Sequence, residues 1–231
     1  MRQSLTLERE AVERSLGQIV ENMIDCILFI GKGIGVTLPL LLGGFIVGLV
    51  LGTGFAILRY KKCFARVIGV IISVVRGTPL LLQLALIYFS FPTLFHLSPT
   101  ILQAGILTFG WNSACYLAEI MRSGIDSLPK GQFEAAQTLH IPFFYMWRDI
   151  LLPQIFRHIF PAIINEIIAL LKETALIATI GGMDVMRSAQ VLAAEQFSYF
   201  LPLCIAGGYY YLCVLIIERL GKWMERRLTL C

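Results

Sequence analysis

Apolar residues are gathered into runs along this chain instead of being spread through it. From about Gly35 to Leu58, Val67 to Phe91, Ile101 to Ala118, Ile159 to Ile180 and Phe200 to Ile217, few polar side chains interrupt. Each run approaches the roughly 20 residues a helix needs to span hydrocarbon. The pattern predicts an all-α integral membrane protein with about five transmembrane helices. The second run is interrupted by Arg76-Gly77-Thr78-Pro79. In the first, Gly44, Gly48 and Gly52 stand four apart, a spacing that lines small residues along one face and lets another helix approach closely. Upstream, within residues 1–33, Leu5, Val12, Leu16, Ile19, Val20 and Met23 recur at helical spacing, with Glu8, Arg9, Glu13 and Arg14 on the other face. That reads as an amphipathic segment at a membrane surface, or as a soluble arm.

Composition sharpens the class. Of 231 residues, 57% are hydrophobic and only 15% are charged, where a soluble domain carries about 25%. The deficit excludes disorder, a nucleic-acid-binding tail and most cytosolic enzymes. Residues 1–23 are charged and lack the apolar core of a secretory signal, so none is expected. Six cysteines are scattered through apolar runs with no CxxC pair, and they read as small hydrophobes, not as a disulfide framework or metal site.

Positive charge sets direction. Arg59, Lys61, Lys62 and Arg66 separate the first two runs; Arg122, Lys130, Arg148 and Arg157 separate the third and fourth; Arg219, Lys222, Arg226 and Arg227 follow the fifth. Loop 92–98 has no Lys or Arg, and loop 182–199 has only Arg187. The positive-inside rule then predicts an N-terminus outside and a C-terminus inside. The cytoplasmic connection from Glu119 to His158 is long, against a usual median near 4–6 residues. Pro129 and Gly131 punctuate it, Gln132–Leu139 is mostly good helix formers, Pro142 can open a second helix, and Pro153 closes or kinks it. Such a helix–turn–helix could dock a soluble partner and pass its motion to spans three and four.

These residues carry a resemblance. Glu134-Ala135-Ala136, three residues, His140, nine residues, then Ile150-x-Leu152-Pro153 resembles the EAA loop of ABC importer permeases. Tyr116-x-x-Glu119-x-x-Arg122-Ser-Gly124-Ile125, Pro129-Lys130-Gly131-Gln132-x-Glu134, Arg76-Gly77-Thr78-Pro79-Leu80-x-x-Gln83 and Leu171-Lys172-Glu173-Thr174-x-Leu176 resemble its polar-amino-acid subfamily. The resemblance covers roughly residues 33–227. It implies a type I importer permease of the bacterial plasma (inner) membrane, with a transmembrane domain at 34–227 that includes the EAA loop 119–158. The implied partners are ATP-binding cassette subunits, an extracytoplasmic amino-acid-binding protein, membrane lipid and a second permease subunit, identical or related. The chain shows no GxxxxGK[ST] loop, so ATP and magnesium are expected on the partner ATPase and no cofactor on this chain. The resemblance assigns coupling to Gly131, Glu134, Ala135, Ala136, His140, Ile150, Leu152 and Pro153. His140 stands where the family usually has glycine at a left-handed helix end, which leaves open a differently shaped turn. A plain turn residue is the simpler reading of it than a metal or proton site.

Ionisable residues inside spans are functional candidates. Glu166, Lys172 and Glu173 lie in the fourth run and Arg76 in the second, with Glu166 and Glu173 seven apart on one helix face. One reading is internal neutralisation, Arg76 or Lys172 pairing with Glu173. The other is a polar cavity, where the two carboxylates meet a substrate ammonium while Arg76, Thr78 and Lys172 meet its carboxylate. Pro79 leaves a carbonyl four residues upstream without its helical donor; Gln83, Asn165 and Thr174 complete the candidate pathway. Trp111-Asn112-Ser113 suits helix–helix hydrogen bonding, and Tyr209-Tyr210-Tyr211 and Trp223 suit interface anchoring. The competing function is an ion-coupled secondary carrier of small polar solutes. An intramembrane enzyme lacks a visible nucleophile–base pair, HExxH or GxSxG.

Overall fold

A computed structural model describes residues 23–62 and 64–229. The amphipathic segment expected over residues 1–33 therefore lies outside it except for its last stretch. All regular structure among the described residues is helical. Helix α1 (Ile34–Tyr60) continues a helix already formed at Met23, upstream of the expected start near Gly35. Helices α2 (Ala65–Gly77) and α3 (Leu80–Ala85) come from the interrupted second run, and a π turn at Leu86–Ser90 leads into α4 (Phe91–Phe95). Helix α5 (Ile101–Asp126) starts at a capping box: the Gln103 N–H donates to Thr100 Oγ1, and the Thr100 N–H donates to Gln103 Oε1 at 2.9 Å. The long connection holds α6 (Lys130–Thr138) and α7 (Phe143–Tyr145). A π turn (Met146–Leu151), α8 (Leu152–Glu173) and a 3₁₀ turn (Thr174–Ile180) follow. Helices α9 (Val185–Glu195) and α10 (Phe200–Thr229) complete the chain.

Among the described residues two helices, Met23–Tyr60 and Phe200–Arg227, are long and apolar enough to cross a membrane. A third span is formed if the bent pair of α2 and the helix from Leu80 to Leu94 counts as one. The bend is 103°. Proline disfavours helical backbone in the residue before it, and Thr78 is extended, at φ −113° and ψ 146°. What the hydrophobic pattern joins into one run is thus two helices set at an angle.

Prolines also account for both π turns. Each turn ends just ahead of a proline, Pro92 in one case and Pro153 in the other. A proline inside a helix lacks a donor and its ring meets the carbonyl four residues back; a wider turn relieves both problems. Of the two readings of Pro153, that it closes or that it kinks the loop helix, closure does not occur. Pro153 stands in the first turn of α8, and the helical path runs on from Phe143 to Glu173.

The main interface lies between α1 and α5. Gly44 faces Phe109 and Gly110, Gly48 faces Ser113 and Ala114, and Gly52 faces Ala114 and Leu117. A Cβ on Gly48 would stand 2.9 Å from the Ser113 Cβ, and one on Gly52 2.8 Å from the Ala114 carbonyl oxygen. Leu40, Leu41, Leu84, Phe109, Leu170 and Leu171 fill the core at one level. Leu117, Met146, Leu151, Ile155, Ile159 and Ile163 fill it nearer the long connection.

Gly48→Leu should therefore push α1 off α5. The expected cost is about 1–3 kcal/mol, the usual penalty for overpacking a filled interface. Thermal unfolding of the purified protein in detergent checks this, and an unchanged melting temperature would contradict the packing described.

Candidate functional site

Two regions gather the chemically capable side chains. The first lies where α2, α3, α5 and α8 meet. Glu166 is buried, and its Oε1 accepts a 2.8 Å hydrogen bond from the Ser113 hydroxyl of α5. A carboxylate removed from water needs such a donor. Ser113 is the residue that Gly48 faces, so the glycine stripe makes the space in which this pair forms. One helical turn along α5, Tyr116 carries the Arg76 guanidinium over its ring, 4.9 Å from the centroid. The Arg76 charge also acts on Glu166.

Among the described residues no ion pair joins Glu173 to Lys172 or Arg76. The physical reason lies in orientation: Arg76 leans on Tyr116, while Lys172 and Asn165 turn outward and are exposed on this chain. Glu166 and Glu173 differ as well, the first buried and the second half-buried at the end of α8.

The α2–α3 break is closed by its own side chains. Pro79 leaves the Val75 carbonyl without a helical donor, as expected, but Gln83 Nε2 fills that place at 2.8 Å. Gln83 also donates to Thr78 Oγ1 at 2.9 Å, and the Thr78 hydroxyl donates to the Val74 carbonyl at 3.0 Å. The carbonyl is thus not open to a ligand; the unpaired acceptor left there is Gln83 Oε1, which is buried. Thr174 is also spoken for, its hydroxyl donating to the Leu171 carbonyl at 2.6 Å inside the core.

A second buried carboxylate escaped sequence reading. Asp184 caps α9, its Oδ1 accepting from the Arg187 N–H at 2.8 Å and its Oδ2 from the Tyr210 hydroxyl at 2.9 Å. Tyr209 donates to the Ile27 carbonyl at 2.9 Å. So Tyr209 and Tyr210 tie α10 to the start of the first helix and to α9, and of the three only Tyr211 is exposed. An Asp directly before a helix is an N-cap signal that could have been found.

The second region is the connection 119–158. At its root, Glu119 of α5 is paired with Arg59 of α1 and accepts from Arg122 Nε at 2.9 Å. Burial pushes the Glu119 carboxyl upward, but the two guanidinium groups outweigh it and hold its pKa below the ordinary range. With that sign, the tie between α1 and α5 is complete at neutral pH and is lost only as pH falls through the lowered value.

Helix α6 ends as the resemblance requires, with histidine doing the work of glycine. His140 has φ +54°; its N–H donates to the Gln137 carbonyl, and the Ile141 N–H donates to the Ala136 carbonyl, both at 3.0 Å. This is the two-bond Schellman ending. Gly131, Glu134 and Ala135 are exposed. Ala136 is 3% exposed and packs inward with Leu117, Met146 and Leu151, so it cannot share an outward face with Glu134. On a helix, positions two apart point to nearly opposite sides. Gln132 Nε2 donates to Gln154 Oε1 at 2.9 Å, fastening α6 to α8. Ile150 is half-buried, and Leu152 and Pro153 are exposed at the start of α8.

Sequence reading missed the aromatic residues here. Trp147 lies edge-on to Tyr60 at the end of α1, with ring centroids 4.9 Å apart, and also meets Phe133 of α6 and Phe143 of α7. Its Nε1 is buried without a hydrogen-bond partner. Leu139, Phe143, Phe144 and Tyr145 form an exposed apolar rim beside α6, with Arg148 over the last two rings. The signal was Phe143-Phe144-Tyr145 standing directly after Pro142 in the connection.

A sequence model of the family described as "Binding-protein-dependent transport system inner membrane component" matches residues 27–230. A Rickettsia typhi protein named as a glutamine transport system permease is 43% identical over 87% of this chain and 94% of its own. The arginine transport system permease protein of Bacillus subtilis is 42% identical over 89% of this chain and 94% of its own. The crystal structure of an amino acid ABC transporter with histidines superposes with a TM-score of 0.82 at 33% identity, covering 89% of this chain and 97% of that one.

The hydrogen bonding orders two substitutions. Ser113→Ala strips the buried Glu166 of its donor and should cost about 1–3 kcal/mol. Glu166→Gln keeps an oxygen that accepts from Ser113 and should cost clearly less. Paired melting curves read the difference, and the reverse order would contradict the geometry. Trp147→Phe keeps the ring contacts and removes the unpaired N–H, so it should leave melting unchanged or raise it, whereas Trp147→Ala lowers it by about 3–5 kcal/mol in the usual range for a buried aromatic.

Proposed function

The chain belongs to the family of binding-protein-dependent transport system inner membrane components, and from that membership we propose a permease subunit that passes a polar amino acid across the membrane. It is an inner-membrane transport component of the amino-acid ABC type, not an enzyme. An ion-coupled carrier is not favoured, because the match to such permeases runs the length of the chain.

In the proposed arrangement residues 34–227 form the transporting domain, and five spans place the N-terminus outside and the C-terminus inside. A second permease subunit completes the pathway, and an extracytoplasmic binding protein delivers the amino acid. A zwitterionic substrate needs acceptors for its ammonium and donors for its carboxylate. Arg76, Lys172 and Asn165 are exposed on this chain, Glu173 is half-buried without an ion pair, and Gln83 carries a free acceptor. Those residues are the proposed lining. Glu166, Thr78 and Thr174 already spend their polar atoms within the chain, and they shape that lining from behind.

ATP and magnesium belong to separate ATP-binding cassette subunits, which dock on α6. The observation that carries this reading is the mounting of α6: bound to α8 through Gln132 and Ala136, it leaves Glu134 and Ala135 open beside the apolar rim of Leu139, Phe143 and Phe144. A charged residue ringed by apolar surface suits a protein groove.

Glu134→Lys and Ala135→Trp should leave the membrane part folded and ATP hydrolysis running, but lower uptake at least about tenfold, the effect of losing about 1.4 kcal/mol of interaction. Uptake into proteoliposomes with all subunits present is the measurement. Normal uptake in both variants would remove α6 as the docking element.

A further inference from the structure

The turn between α9 and α10 holds a costly residue in a costly place. Phe197 has φ +50° and is 94% exposed. Its N–H donates to the Ala194 carbonyl at 3.4 Å and the Ser198 N–H to the Ala193 carbonyl at 3.1 Å, so α9 ends as α6 does, with Phe197 in the left-handed position. Glycine or asparagine suits that position; a large aromatic strains the backbone there. Among the described residues nothing rewards the strain, because the ring lies open. Tyr199 and Phe200 beside it are also exposed, at 62% and 81%.

The exposed side of α10 says what covers them. Phe200, Leu203, Tyr211, Leu212, Ile216 and Trp223 are exposed, a broad apolar stripe spread over more than half of the circumference of a helix that is long enough to cross a membrane. From Phe200 to Trp223 the helix rises about 35 Å at about 1.5 Å per residue. Hydrocarbon is about 30 Å thick, and about 40–45 Å with the headgroup layers. Aromatic side chains at both ends of the stripe are therefore separated by one bilayer, and rings of this kind collect at the two membrane–water interfaces. Trp223 marks one interface, with Arg227 over its ring at 4.3 Å among the basic residues Arg219, Lys222 and Arg226.

We propose that Phe197, Tyr199 and Phe200 form an aromatic foot that seats the α9–α10 turn in the headgroup layer of the bilayer, on the side opposite Trp223. Helix α9 is then held at both ends by different means. The Asp184–Tyr210 hydrogen bond fastens its start to the protein, and the foot fastens its end to lipid. The foot rests on the residence of the chain in the membrane and not on the transported solute.

The test uses the complete transporter in phosphatidylcholine–phosphatidylglycerol vesicles whose lipids carry bromine either near the headgroup or near the chain end. Fluorescence of Phe197→Trp, with the wild-type signal subtracted, reports the position of the foot. The expected result is that shallow bromine removes at least about half of the added emission and deep bromine much less, as for a ring at the interface. The solute-binding protein should leave the quenching unchanged. Emission that neither lipid quenches, or quenching lost on adding the binding protein, overturns the proposal: the turn then faces water, a second permease copy or that protein. Tyr199→Trp and Phe200→Trp, which carry no positive φ, give the same readout if the first variant fails to fold.

Discussion

The missing side chains at Gly44, Gly48 and Gly52 are the condition on which the rest of the structure depends. They let α1 lie against α5 closely enough that a single added methyl group at Gly48 would overlap Ser113. In lipid, apolar side chains gain nothing by leaving one hydrocarbon environment for another, so close van der Waals contact and interhelical hydrogen bonds must hold helices together. Both are present along this seam. Gly48 makes room for Ser113, Ser113 donates to Glu166, and α8 is thereby drawn to the face of α5 beside α1.

Where helices break, the chain supplies its own partners for the backbone. Irregular backbone at membrane depth is tolerated only where protein or a polar cavity satisfies it. At the α2–α3 bend, Gln83 and Thr78 occupy the carbonyls that Pro79 releases, and the bend becomes a rigid corner instead of a hinge. Ahead of Pro92 and Pro153 the helix widens into a π turn without breaking. A corner of this sort beside Arg76 and the half-buried Glu173 gives a permease fixed polar groups without a costly free carbonyl.

In the proposed function the outer part of the connection 119–158 moves the inner part. The structure ties the two at three places: the Arg59–Glu119–Arg122 cluster between α1 and α5, the Gln132–Gln154 bond between α6 and α8, and Trp147 wedged among Tyr60, Phe133 and Phe143. A load on α6 thus reaches both α1 and α8, which pack against α5.

The sequence by itself determined what local chemistry determines. Apolar runs specified a helical membrane protein, glycines four apart specified a packing seam, Thr78-Pro79 specified a break, and Gln132 through Leu139 specified a short helix, whose ending at His140 was left open until the structure showed it left-handed. The EAA pattern was legible for the same reason, since its parts lie close along the chain. Tertiary structure alone decided orientation. Seven-residue spacing put Glu166 and Glu173 on one side of a helix but could not say that Ser113 would meet the first. Nor could it show that Ala136 turns inward, that Tyr209 and Tyr210 bond to groups more than 20 residues away in sequence, or that Phe197 stands open. Periodicity tells which residues share a face; which neighbour that face meets depends on helices brought together from distant parts of the chain.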